Sequence, residues 1–93
     1  MTFEEFQQSN GQNLSRPLLA LWSDHQNDWE QAHTLAQDIE GREGAWIHAY
    51  LHRKEGDTFN AGYWYRRAGR PAAGGDLKRE WEEIVRELLL SST

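Results

Sequence analysis

A chain of 93 residues can build one domain around a single modest core, and with no cysteine it forms neither a disulfide framework nor a thiolate metal site or nucleophile. A net charge of −5 argues against general nucleic-acid binding, and no apolar run approaches membrane-spanning length. The opening MTFEEFQQ lacks the basic and apolar regions of a signal peptide, so a soluble cytoplasmic protein is expected.

Thr2 followed by Glu5 is a capping-box pattern, and Phe3 and Phe6 lie one helical step apart, which predicts a short helix over about 3–9. Ser9 to Asn13 is turn-like. Ser15 with Pro17 behind it starts a second helix, in which Leu18, Leu19, Leu21 and Trp22 are apolar to about Asp24. His25 to Asp28 forms a turn with a capping Asp. Trp29, Ala32, Leu35, Ala36 and Ile39 then recur at three and four residues, as in an amphipathic helix. Gly41 and Gly44 bracket a short link. Trp46, Ile47, Ala49, Tyr50 and Leu51 mark a helix across Ala45 to Lys54, and Gly56 stops it. Asp57 caps the next helix, which carries Ala61, Tyr65 and Ala68 on one stripe and ends at Gly69 and Pro71. After the loose PAAGG, Asp76 caps a last helix with a stripe of Leu77, Trp81, Ile84, Val85 and Leu88 opposite Glu82, Glu83 and Arg86. No strand pattern is visible.

The fold class expected is all-α, a single domain over 1–93: a short N-terminal helix, antiparallel hairpins at 15–40 and 44–70, and a capping helix at 76–90. The turns between paired helices are only a few residues long, which makes the partners antiparallel neighbours. An internal repeat supports two hairpins. With Asp28 aligned on Asp57, Ala20 meets Ala49 and Ala32 meets Ala61, small residues where paired helices approach.

On these residues the two hairpins resemble tetratricopeptide-type repeats. In the second, Ala49, the Gly56-Asp57 turn, Ala61, Tyr65, Ala68 and Pro71 stand at the family's characteristic places; in the first, Ala20, Asn27-Asp28 and Ala32 do. The likeness covers about 15–71. The chain departs from the family in its shorter repeat, in having only two units, and in placing His48 and His52 where large apolar residues normally stand. HAYLHRKEGD followed by YWYRRAGRP is also similar to stretches of small uncharacterised bacterial proteins, a likeness that implies no activity. The repeat resemblance implies that the first helix of each hairpin lines a concave face. Trp46, Tyr50 and Arg53 would then form a groove, with a peptide or acidic segment as ligand; aromatic and Arg side chains are frequent anchors of such surfaces. The competing arrangement packs Trp46 and Tyr50 against the last helix.

Charge is uneven along the chain. Residues 1–43 carry eight acids and two bases, 44–71 two acids and five bases, and 72–93 five acids and three bases. A basic, aromatic middle either pairs with its own acidic flanks or receives an anionic partner. Tyr63, Arg66 and Arg67 are the exposed candidates of that middle, because neighbours on a helix point in different directions and Tyr65 belongs to the core stripe.

Chemistry is sparse. His48 and His52 stand four apart, so both imidazoles can face one way and bind zinc, given a third donor such as Asp57, Asp24 or His33. The metalloprotease pattern needs Glu after the first His; Ala49 follows instead. Such pairs are more often hydrogen-bonded structural histidines. Neither a serine elbow, a carboxylate pair nor a phosphate-binding glycine loop is present. The expectation is therefore a non-enzymatic, tetratricopeptide-like interaction module with no catalytic residue, no cofactor and no assigned metal. It would bind a protein or peptide through Trp46, Tyr50, Arg53, Tyr63, Arg66 and Arg67. Two alternatives stand beside it: a small-molecule or metal site, even a hydrolytic one, at His48 and His52, and a homodimer that hides surplus indoles.

Overall fold

The computed structural model describes residues 1–91 and contains six helices and no strand among them. They are α1 (Phe3–Gln7), α2 (Arg16–His25), α3 (Trp29–Gln37), α4 (Gly41–Lys54), α5 (Thr58–Ala68) and α6 (Leu77–Ser91). All-α architecture is as expected, and the local stop and start signals act where they stand. Thr2 and Glu5 close a reciprocal capping box. Asp28 accepts from the Gln31 amide and Asp57 from the Asn60 amide, so α3 and α5 begin as their Asp caps direct. Gly56 takes φ +89° in the turn before Asp57, a conformation that disfavours any side chain.

The boundary that differs is the start of α4. Gly41 and Gly44 are not a link between helices but lie inside its first turns. A Cβ on Gly44 would fall 2.1 Å from the Ile39 carbonyl oxygen. The missing side chain lets the chain leaving α3 fold tightly over the first turn of α4.

Every residue of α4 from Gly44 to Leu51 is buried. Two helical turns covered on all sides make α4 the central element. It packs on α5 and α3 and touches α2 and α6, while α2 pairs with α3 and α6 also reaches α2 and α1. Ala20, Ala32, Ala49 and Ala61 are all buried, so backbones approach closely at these points. On α6 the stripe Trp81, Ile84, Val85 and Leu88 is buried as its spacing requires.

Polar groups fix how these helices sit. Glu80 is buried, and its carboxylate accepts from Trp46 Nε1 (3.2 Å), Tyr65 Oη (2.6 Å) and Arg53 Nη1 (2.8 Å). Asp24 on α2, also buried, accepts from Tyr50 Oη and Lys54 Nζ, both at 2.9 Å. Trp81 Nε1 donates to the Leu21 carbonyl at 3.0 Å, tying α6 to α2. Buried carboxylates are tolerated when each is paired and fully hydrogen-bonded, and no buried side-chain polar atom among the described residues lacks a partner.

Two stability outcomes follow. Glu80→Ala strands the Arg53 guanidinium and two hydroxyl or indole donors, and urea unfolding should show a loss of roughly 3–5 kcal/mol. Ala61→Leu overpacks the α4–α5 contact and should cost roughly 1–3 kcal/mol in the same assay; an unchanged midpoint would contradict close packing there.

Candidate functional site

Three of the chain's four histidines converge. His33 comes from α3; His48 and His52 lie one turn apart on α4. Nε2 of His33 and Nε2 of His48 are 2.9 Å apart, so one ring donates and the other accepts. One ring nitrogen from each of the three lies within 4.8 Å of the other two. The His48 and His52 rings are stacked at 4.9 Å, and His33 meets them edge-on at 4.7 and 5.2 Å.

Two tryptophans hold this cluster. Trp29 stacks on His33, with centroids 4.8 Å apart and planes 9° from parallel, and its Nε1 donates to the Leu51 carbonyl at 2.9 Å. Trp64 on α5 stacks on His48 at 4.0 Å and 12°. Glu55 Oε1 lies 2.6 Å from His52 Nδ1, a contact in which that nitrogen donates. A neutral His52 then carries its lone pair on Nε2. A carboxylate on the far nitrogen is the usual way of orienting a ligating imidazole. His52, Glu55 and Asp57 also form a second, more exposed group of ligand atoms within the same mutual distance.

Burial pushes the His48 imidazole down to about 4, with the neighbouring His33 and His52 adding to the effect. Burial also lowers His33, aided by His52 and opposed by Glu55. Neither ring is protonated at pH 7. Neutral imidazoles with converging nitrogens can share a proton or hold a metal ion.

Of the donors considered from spacing, His33 is grouped with both rings and Asp57 with His52 only. Asp24 is committed to Tyr50 and Lys54 on another side of α4, and Asp57 accepts from Asn60 at the cap of α5. Trp29 four residues before His33 was the visible sign of a stacked ring pair on one face of α3. The role of Trp64 depends on how α5 lies on α4 and has no local signal.

The open groove expected from Trp46, Tyr50 and Arg53 does not form. Trp46 is 5 % exposed and Tyr50 2 %; Trp46 is bonded to Glu80 on α6, and the Tyr50 hydroxyl to Asp24 on α2. The reason is Glu80: α6 brings a carboxylate to the Trp46 indole and the Arg53 guanidinium, and Arg53 also donates to the Gly75 carbonyl. The guanidinium of Arg70 lies 3.3 Å from the Trp46 ring centroid. Tyr63, Arg66 and Arg67 are exposed, as their placement on α5 suggested, and Arg67 donates to Tyr63 Oη at 3.0 Å. Much of the basic middle pairs with its own flanks: Arg53 with Glu80, Lys54 with Asp24, Arg70 with Glu83. Trp46 and Trp81 are buried, and Trp22, Trp29 and Trp64 are partly buried against the core. No helix of the described residues is long and apolar enough to cross a membrane.

No family model matches the chain, and neither a curated protein nor a solved structure matches it.

The depressed His48 value has a consequence for stability. Below its ordinary value of 6.5 the unfolded chain takes up a proton that the folded ring refuses until about pH 4. The thermal midpoint should therefore fall as pH drops from about 6.5 to 4, with no contribution from this ring above that range. Melts of the parent and of His48→Gln across that window check this; the variant should lose part of the slope.

Proposed function

We propose that the chain binds a first-row divalent metal ion, with zinc the best fit, through His33, His48 and His52. The observation that carries this is the convergence of three imidazole nitrogens within 4.8 Å on two packed helices, with Glu55 behind His52. Imidazole suits zinc, copper and nickel, and three nitrogens are a recurrent zinc set. At zinc–nitrogen distances of about 2.0–2.1 Å, two ligands of a tetrahedral ion lie about 3.3 Å apart. His33 and His48 at 2.9 Å need to separate only slightly. His52, whose side chain is 13 % exposed, has to turn inward about its contact with Glu55. Burial disfavours the charged form of both rings, so binding takes no net proton from neutral His33 and His48, but the ring that donates in the Nε2–Nε2 contact has to move its proton to Nδ1 before that nitrogen can ligate. Three protein ligands leave one tetrahedral position for water, the arrangement found in hydrolytic sites, and hydrolysis is the activity to assay once an ion is bound.

A second reading rests on a different face. Phe59 is 84 % exposed and Tyr63 43 %, and they share the outer side of α5 with Arg66, while Arg67 lies at its edge toward Trp64. This face, not the covered Trp46 side, supports an interaction module for an acidic peptide. The paired helices α2/α3 and α4/α5, with alanines at their contacts, support the tetratricopeptide-like stacking that goes with it.

Zinc titration of metal-stripped protein, followed by calorimetry and by the imidazole NMR signals, tests the first reading. One ion per chain should bind and shift the rings of His33, His48 and His52 together. His33→Ala should weaken binding at least about ten-fold, and Glu55→Gln, which removes the orienting carboxylate, by about ten-fold or more. Absence of binding, or binding indifferent to His33→Ala, overturns the metal reading and leaves the α5 face.

A further inference from the structure

A cavity of about 490 Å³ lies beside the histidine cluster, between the end of α3, the start of α4 and the face of α5. Its walls include His48 and Trp64, together with Arg42 from α4, Arg67 from α5 and Glu40. The volume falls in the range of small-molecule sites.

Five bases, Arg42, Arg66, Arg67, Lys78 and Arg79, form no ion pair among the described residues, and two of them, Arg42 and Arg67, border this cavity. Arg67 is held in place: it donates to Tyr63 Oη at 3.0 Å, and its guanidinium lies 5.1 Å from the Trp64 ring centroid. A guanidinium has five N–H donors, so most of those on Arg67 remain free for a ligand. The Arg42 guanidinium lies beside Gly69, where a Cβ would stand 3.7 Å from its Cζ. Among the charged lining residues two arginines outweigh the single Glu40 carboxylate, and Gln37 adds a neutral polar group.

Two arginines bordering one cavity match a dianion better than a single carboxylate, and paired arginines are the preferred partners of phosphate. The volume exceeds what a bare phosphate fills, and Ala36, Ile39, Ala45 and the part of Trp64 not covered by His48 and Arg67 give the wall an apolar portion for an organic remainder. We infer that this cavity takes a small phosphorylated molecule, its phosphate held between Arg42 and Arg67 and its organic part against Trp64. The site borders the metal centre at His48 but needs no ion to form.

The test is calorimetric titration of metal-stripped protein with glycerol 3-phosphate and, separately, with inorganic phosphate at low ionic strength, with the Trp64 indole signal followed by NMR. Saturable binding of glycerol 3-phosphate is expected, tighter than that of inorganic phosphate and accompanied by a shift of the Trp64 signal. Arg42→Gln and Arg67→Gln should each weaken it about ten-fold, the loss of one charge-assisted contact. Arg79→Gln, at an arginine outside this cavity, should leave it unchanged. Failure to saturate, retained affinity in both cavity variants, or an equal loss in Arg79→Gln overturns the assignment. Zinc titration of Arg42→Gln separates the two sites: retained zinc affinity with lost phosphate affinity leaves the metal reading standing, and phosphate affinity in protein that binds no zinc leaves the cavity standing alone.

Discussion

The carboxylate of Glu80 is the constraint on which the arrangement depends. It is buried, and it survives there because three donors from two other helices converge on it. Trp46 and Arg53 belong to α4 and Tyr65 to α5, so one acid on α6 sets the position of the last helix against both. Apolar stripes alone would permit α6 to slide or rotate, since hydrophobic burial is non-directional. A charge that must be met by particular donors does not. The same device recurs on another side of α4, where Asp24 receives Tyr50 and Lys54. Both phenols are pushed up in pKa, first by burial and then by the adjoining acid, and they remain neutral donors throughout the physiological range.

Legibility from the sequence follows the range of the cause. The caps at Thr2, Asp28 and Asp57 act over three residues and are readable as written. The stripes of α4, α5 and α6 are readable because helical periodicity is local too. The covered face of α4 was not. Trp46 and Tyr50 look the same in sequence whether they line a groove or lie under another helix; the difference is made by Glu80, 34 residues from Trp46, and by Asp24, 26 residues from Tyr50. Glu80 itself sits in a run with Glu82 and Glu83 that reads as a solvated face. His48 and His52 were legible as a pair, and His33 as one possible third donor among others. Choosing among them required the packing of α3 on α4.

That packing traces to the tight crossing at Gly44. Because Ile39 lies against the first turn of α4, α3 is drawn close enough for His33 to reach His48 across the helix pair. The same crossing places Arg42 at the edge of the cavity that His48 and Trp64 help to line. The crossing joins His33 and Trp29 of α3 to His48 and His52 of α4, while Trp64 and Arg67 arrive with α5. The outer face of α5 is independent of it: Phe59 is exposed because nothing among the described residues lies over it.

The long reach of α6 also bears on the order in which the molecule comes together. Contacts within α2/α3 and α4/α5 join neighbours in sequence, and such local closure is fast. Trp81 meets the Leu21 carbonyl across 60 residues, and Glu80 meets Arg53 across 27, after the extended run through PAAGG. Closing these larger loops costs more chain entropy. During synthesis the two helix pairs can form before α6 is available, with the Trp46 indole, the Tyr65 hydroxyl and the Arg53 guanidinium still hydrated. In that interval the nascent chain presents an apolar, cation-bearing face to its surroundings, which the arrival of the last helix withdraws.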